Sequence, residues 1–195
     1  MENEVKEPAP KCNYISPDEY LEMERVSDEK HEYYDGYVIA MSGARLKHIQ
    51  IASNLNSEIG PYLKGKECQF LSTGMRVVTP GRDSYLYPDA TIVCGEPTLE
   101  DDKFDTLINP TVIFEIWSPS TQKNDTGYNL LFYQNIPSLK EYIMIDAAKR
   151  FAQAVRKEAN GAWRFENISE ATSILQIQTI NFHITFDDLY RNTGL

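Results

Sequence analysis

The sequence predicts an α+β fold, a mixed sheet with helices on its faces. Two observations carry that expectation. Short runs rich in Val, Ile, Tyr, Phe and Thr recur along the chain, punctuated by Gly, Pro and Asn-Gly signals, as strands do. Helical patterns interrupt them only a few times and never in strict strand–helix alternation, which sets aside a doubly wound parallel sheet. Composition agrees with one domain of ordinary size: 195 residues, 42% hydrophobic and 25% charged. A chain of that length needs no metal or disulfide staple to bury a core.

The elements follow in order. Residues 1–13, with Pro8 and Pro10, read as a disordered leader, and 14–195 as a single domain. Ser16-Pro17-Asp18-Glu19 is a capping box with proline at the first helical position, so a helix is expected over 17–24. Asp35-Gly36, between β-prone runs at 31–34 and 37–41, predicts a hairpin. His48, Ile51, Ala52, Leu55, Ile59, Tyr62 and Leu63 share one face of a longer helix, which Gly60-Pro61 should end or kink. Strands are expected over 67–71, 75–79, 87–94 and 111–117. The acidic stretch 95–110 reads as an exposed loop. A second helix over 124–134 precedes strands at 141–146, 151–157 and 163–167, the last two joined at Asn160-Gly161. A late strand pair and a short helix over 186–191 close the domain.

Charge and cysteines narrow the function. Nineteen basic residues against 29 acidic give a net charge of −10, which argues against a broad basic grip on nucleic acid but leaves room for a local cleft. Cys12, Cys68 and Cys94 are odd in number and form no CxxC pair, so neither a disulfide framework nor a thiolate zinc site is expected. His31, His48 and His183 lack metal-ligand spacing. No apolar run approaches the ~18 residues of a membrane span. No signal region follows the charged N-terminus, so a cytoplasmic protein is expected.

Two carboxylates stand out. Glu115 sits inside Thr-Val-Ile-Phe-Glu-Ile-Trp, an otherwise apolar run. A carboxylate there must be neutralised, meet a cation or point into a wet cleft. Asp89 follows Tyr87-Pro88 and opens Ala-Thr-Ile-Val-Cys, a second buried-looking strand. At matching heights on neighbouring strands, the pair would make a hard-oxygen site for Mg²⁺ or Mn²⁺. Structural alternatives stand beside this reading. Asp89 could cap a turn after Pro88, and Glu115 could pair with an arginine such as Arg76.

These residues carry a resemblance. Tyr87-Pro88-Asp89, followed by Asn-Pro-Thr-Val-Ile-Phe-Glu-Ile-Trp-Ser-Pro-Ser-Thr over 109–121, resembles a group of single-domain bacterial proteins. They are catalogued as restriction endonucleases within the PD-(D/E)XK nuclease superfamily. Lys30 to Gly36, Met41 to Ala44 with His48, Met75-Arg76-Val77 and Ile136 to Tyr142 also fit, in the same order, so the resemblance spans roughly 14–190. It implies a restriction-endonuclease-like core and a Mg²⁺-dependent hydrolase acting on DNA. Asp89 and Glu115 would hold the metal, and Glu32 would assist as a further acid at the cleft. His48 matches a position at the start of the long helix, where a hydrogen bond to a neighbouring strand is the plainer role.

One departure matters. The superfamily's usual lysine position, two residues after the second acid, is Trp117, and the shifted position common in this group is Asn129. An amide supplies no positive charge to a phosphate. Lys123, six residues earlier, is the nearest replacement by sequence. Gly74 stands where relatives often carry an acid. Two functions therefore remain open: a DNA endonuclease weakened by the missing lysine, or an inactive nuclease fold serving as a binding or accessory protein. Twelve tyrosines, many in the first half, make a homodimer a reasonable expectation.

Overall fold

The computed structural model describes residues 14–72, 74–117, 124–169 and 174–195. Helix α1, Pro17–Glu24, begins as its capping box dictates: the Ser16 side chain accepts from the Glu19 amide, and the Glu19 carboxylate takes the Ser16 N–H at 2.7 Å. Strands β1, His31–Tyr34, and β2, Tyr37–Ala40, form the expected hairpin. Its turn has Asp35 at φ 42° and Gly36 at φ 91°, the left-handed conformation a tight hairpin requires. The Tyr14 ring lies across Gly36, where any Cβ would come within 2.0 Å of it. Helix α2, Leu46–Leu63, then buries Ile51, Leu55, Ile59 and Leu63. It carries Pro61 inside its last turn rather than ending before it.

The remaining strands are β3, Cys68–Ser72, β4, Arg76–Val78, β5, Ser84–Leu86, β6, Ala90–Cys94, β7, Thr106–Leu107, and β8, Val112–Trp117. After the turn of helix α3, Leu130–Tyr133, come β9, Glu141–Asp146, β10, Phe151–Lys157, β11, Trp163–Ser169, β12, Ile174–Ile177, and β13, Phe182–Thr185; α4, Phe186–Leu189, is last. They assemble into a six-stranded mixed sheet, β11-β10-β9-β8-β6-β3, a five-stranded sheet, β2-β1-β5-β4-β7, and the β12-β13 hairpin. The class is α+β, as the sequence predicts, with two large sheets in place of one. β8 and β9 run parallel; their neighbours run antiparallel.

Strand alternation gives the six-stranded sheet two apolar faces. Ile92, Phe114, Ile143 and Ile145 pack against α2, β12, β13 and α4. Val93, Ile113, Trp117, Tyr142 and Met144 pack on the opposite face against α3 and against Val77 and Leu86 of the five-stranded sheet. Tyr20, Tyr33 and Tyr85 form a third cluster under α1, with ring centroids 5.2–5.9 Å apart. No helix of the described residues is long and apolar enough to cross a membrane.

The structure corrects several expectations. The strand expected over 87–94 begins only at Ala90: β5 ends at Leu86 in one sheet, β6 begins at Ala90 in the other, and 87–89 cross between them. Pro88 has no N–H to give a ladder, so it falls at the crossing. The loop 95–110 contributes β7, whose Thr106 and Leu107 are buried beside β4. The helix expected over 124–134 is a π-helical turn, Asn124–Asn129, leading into α3. Cys68 and Cys94 form a disulfide, because β3 and β6 pair with those residues opposite one another. Their separation of 26 residues hides this pairing from any spacing rule. Thiol titration of the purified, denatured chain should find one reactive thiol before reduction and three after it. Three thiols before reduction would contradict the pairing.

Candidate active site at the seam of two sheets

The two outlying carboxylates meet where the five-stranded sheet abuts the six-stranded one. β6 and β8 pair antiparallel with Ala90 opposite Phe114. Asp89 immediately precedes β6, where the chain crosses between the sheets, and its side chain reaches β8 at the Ile116 amide, next to Glu115. Glu115 shares its face of β8 with Ile113 and Trp117.

Asp89 is fixed at both oxygens. Its Oδ2 accepts the Ile116 amide at 2.6 Å, and its Oδ1 lies 2.7 Å from His48 Nε2 on the first turn of α2. The partner of His48 is thus the candidate ligand itself, one residue before β6 rather than within a strand. Glu115 is buried and accepts from the Tyr133 hydroxyl at 3.1 Å. Burial, then the Glu115 charge, hold the Tyr133 phenol well above its ordinary pKa, so it remains a donor. Arg76 does not pair with Glu115. It lies 2.9 Å from Asp105 and donates to Thr106 and Tyr87.

Glu32 comes from the other sheet. Its Oε1 accepts the Tyr87 amide at 3.3 Å and its Oε2 lies 2.7 Å from the Tyr34 hydroxyl. Burial raises the Glu32 pKa and the Asp89 charge adds to the rise, against the lowering effect of its two hydrogen bonds. Tyr34 also lies 2.9 Å from Asn129 Oδ1. The hydroxyl has one hydrogen for two oxygens. A protonated Glu32 resolves this: it donates to Tyr34, and Tyr34 donates to Asn129. A charged Glu32 instead takes the Tyr34 hydrogen, and the Asn129 amide turns its NH₂ inward.

Asn129, at the lysine position of the resemblance, is buried. Its spacing of four from Tyr133 puts both side chains on one helical face, aimed at Tyr34 and Glu115. Lys123 lies outside the described residues. Gly74 lies beside the Lys30 ammonium, whose Nζ would be 3.5 Å from a Cβ there.

The structure thus brings Glu32, Asp89, Glu115, His48 and Asn129 into one neighbourhood. Sequence reasoning missed Tyr34 and Tyr133. Tyr34 was within reach, since period-two alternation places it on the face of Glu32; Tyr133 touches Glu115 only through tertiary packing. Among the described residues no three His, Cys, Asp or Glu side chains converge on one ion position. Two buried polar atoms on the Glu115 face, Thr91 Oγ1 and Trp117 Nε1, have no hydrogen-bond partner.

Comparison with known proteins points one way. A family model described as "Uma2: Putative restriction endonuclease" matches residues 17–187. The chain is 29% identical over 177 residues to the uncharacterized protein slr1290 of Synechocystis sp., across 91% of this chain and 92% of that one. It is 29% identical over 145 residues to sll1609 of the same organism, across 74% and 82%. The crystal structure of a "putative nuclease belonging to DUF820" from Anabaena variabilis matches with a TM-score of 0.74 at 20% identity, over 90% of this chain and 97% of that one. At that identity the match speaks for the fold, which is that of a restriction-endonuclease-like protein.

The raised Glu32 pKa has a sign that can be tested. The folded chain holds the Glu32 proton to higher pH than the unfolded chain does. The penalty for ionising it therefore grows as pH rises from the ordinary value near 4.5. Glu32→Gln removes that penalty and keeps both hydrogen bonds. The variant's melting temperature, relative to wild type, should climb between about pH 4.5 and pH 7. A difference that is flat across that window would show that Glu32 is not perturbed.

Proposed function

The chain belongs to the Uma2 family, described as "Putative restriction endonuclease", and from that premise we propose that it hydrolyses DNA phosphodiester bonds with a bound Mg²⁺ or Mn²⁺. One observation carries the proposal: Asp89 binds the β8 amide next to Glu115, beside a sheet face on which Thr91 and Trp117 hold buried polar atoms without partners. Carboxylate oxygens suit a hard cation, and Mg²⁺ commonly takes only one or two of them and keeps several waters. The unmet Thr91 and Trp117 groups are what such waters would satisfy. Asp89 and Glu115 would hold the ion, which would lower the pKa of a bound water and offset charge on a phosphate oxygen.

The chain's own residues supply the rest. His48 and the Ile116 amide fix the direction of Asp89, and each oxygen still has a lone pair to offer. Tyr133 orients Glu115. Glu32, with its raised pKa, is placed to hold a proton beside Asp89, with Tyr34 as its hydrogen-bonded neighbour. Asn129 gives this network an amide and no charge. Lys123 is the compensating cation in this reading, so cleavage is slow.

A second reading is favoured by Asn129 alone: the fold persists as an inactive binding or accessory protein. Plasmid DNA separates the two. The wild-type chain should nick it slowly with Mg²⁺ or Mn²⁺, Asp89→Ala should not, and Lys123→Ala should abolish the residual rate. Asn129→Lys should raise the rate about 10²–10³-fold, the usual worth of one charge-stabilising group. No nicking by wild type or by Asn129→Lys would leave the accessory reading.

Metal binding can be read apart from activity. A cation at a hundred times its Kd stabilises the fold by about 2.7 kcal/mol. Mg²⁺ or Mn²⁺ should therefore raise the melting temperature of wild type well above its effect on Glu115→Gln. Equal rises would put the ion elsewhere.

A further inference from the structure

Among the described residues, the β1–β2 hairpin leaves one edge of the five-stranded sheet open. Its two-residue turn makes Tyr34 and Tyr37 a hydrogen-bonded pair, and the pattern then alternates. The Met41 amide, donating to the Lys30 carbonyl at 2.8 Å, fixes the same phase. The N–H and C=O groups of Val38 and Ala40 therefore point away from β1, along the open edge. Nothing among the described residues meets them.

The strand itself carries no charged side chain. On the face shared with Glu32 and Tyr34, Tyr37 is 54% exposed, Ile39 49% and Met41 39%. Native sheets blunt such edges with lysine, proline or a bulge. Residues 37–44, Tyr-Val-Ile-Ala-Met-Ser-Gly-Ala, contain no charge and no proline. The outer strand β11 of the other sheet carries Arg164 and Glu166, and β3 exposes no large apolar side chain.

We propose that β2 is the seam of a homodimer, in which two copies pair β2 antiparallel about a two-fold axis at Ile39. The occupant is a second copy because the strip complements itself. In that register Val38 of each copy faces Ala40 of the other, and their outward N–H and C=O groups form hydrogen bonds. Ile39 meets Ile39, and Tyr37 meets Met41 twice, which joins the exposed apolar side chains on one face. Each chain carries a net charge of −10, so copies repel over most of their surfaces. The uncharged strip lets them touch without opposing like charges. Leu46 and Ile49, exposed at the start of α2, extend the apolar surface beyond the strand toward the area a stable dimer buries. Antiparallel pairing turns the same face up in both copies. The two β1 strands, each bearing a Glu32, then lie about 14 Å apart across three strand spacings. The seam does not depend on the nuclease reading and stands or falls without it.

Sedimentation of the full chain over a range of concentrations, with amide hydrogen exchange, tests the seam. Wild type should sediment at twice the 22.4 kDa chain mass. Its Val38 and Ala40 amides should become protected as concentration rises. Ala40→Pro removes one outward N–H without touching the β1 ladder, and Ile39→Lys puts two charges face to face. Each should raise the dimer Kd about tenfold or more, while Phe165→Lys, on the outer strand of the other sheet, should not. A monomer at all concentrations, or a dimer indifferent to both substitutions, overturns the proposal. So does protection of Val38 and Ala40 that appears only when single-stranded DNA is added. If either variant fails to fold, the exchange pattern of wild type decides alone.

Discussion

The bond from the Ile116 amide to the Asp89 carboxylate, at 2.6 Å, is the contact on which the geometry of the site depends. The chain leaves one sheet at Leu86 and joins the other at Ala90, so β8 runs on past the end of its partner. At Ile116 the strand that should offer a carbonyl has already turned away through Pro88. The Asp89 side chain takes that place. A charge-assisted hydrogen bond of this kind contributes about 1.5–3 kcal/mol, and losing it would strand a buried N–H as well. Since His48 binds the other oxygen, one carboxylate ties β6, β8 and α2 together.

Packing three acids into one seam is costly, and tyrosine is what makes it tolerable. Tyr34 and Tyr133 bring hydroxyls to Glu32 and Glu115 without bringing charge. Burial keeps the Tyr133 phenol protonated, so it cannot add to the negative charge it faces. Glu32 has a second outlet. Burial, with a smaller push from the Asp89 charge, raises its pKa and so favours its neutral form.

Much of this was legible in the sequence, and the rest has physical reasons for hiding. The Ser16–Glu19 box, the Asp35-Gly36 turn and the two acids stood out because each is local: a cap, a φ requirement, a charge in an apolar run. Tyr133, Cys68 with Cys94, and the sheet change at Pro88 are settled by which strands become neighbours, and no window of residues encodes that. The π-helical turn before α3 escaped for a subtler reason. Its Asn, Asp, Thr and Gly are weak helix formers that do not encode a π-helical turn, and only contacts with Tyr34 and Glu115 fix where Asn129 and Tyr133 point.

Asn129 and the raised pKa of Glu32 then express one constraint. A lysine at position 129 would place an ammonium next to Tyr34 and, through it, Glu32. Its charge would favour the ionised carboxylate and pull the Glu32 pKa down. The amide does neither. With no cation on that side, burial and then the Asp89 charge raise the Glu32 pKa unopposed from position 129. A divalent ion on Asp89 and Glu115 would act in the lysine's direction. In the proposed reading, a lysine at 129 and an ion on Asp89 and Glu115 would therefore both act on the Glu32 proton.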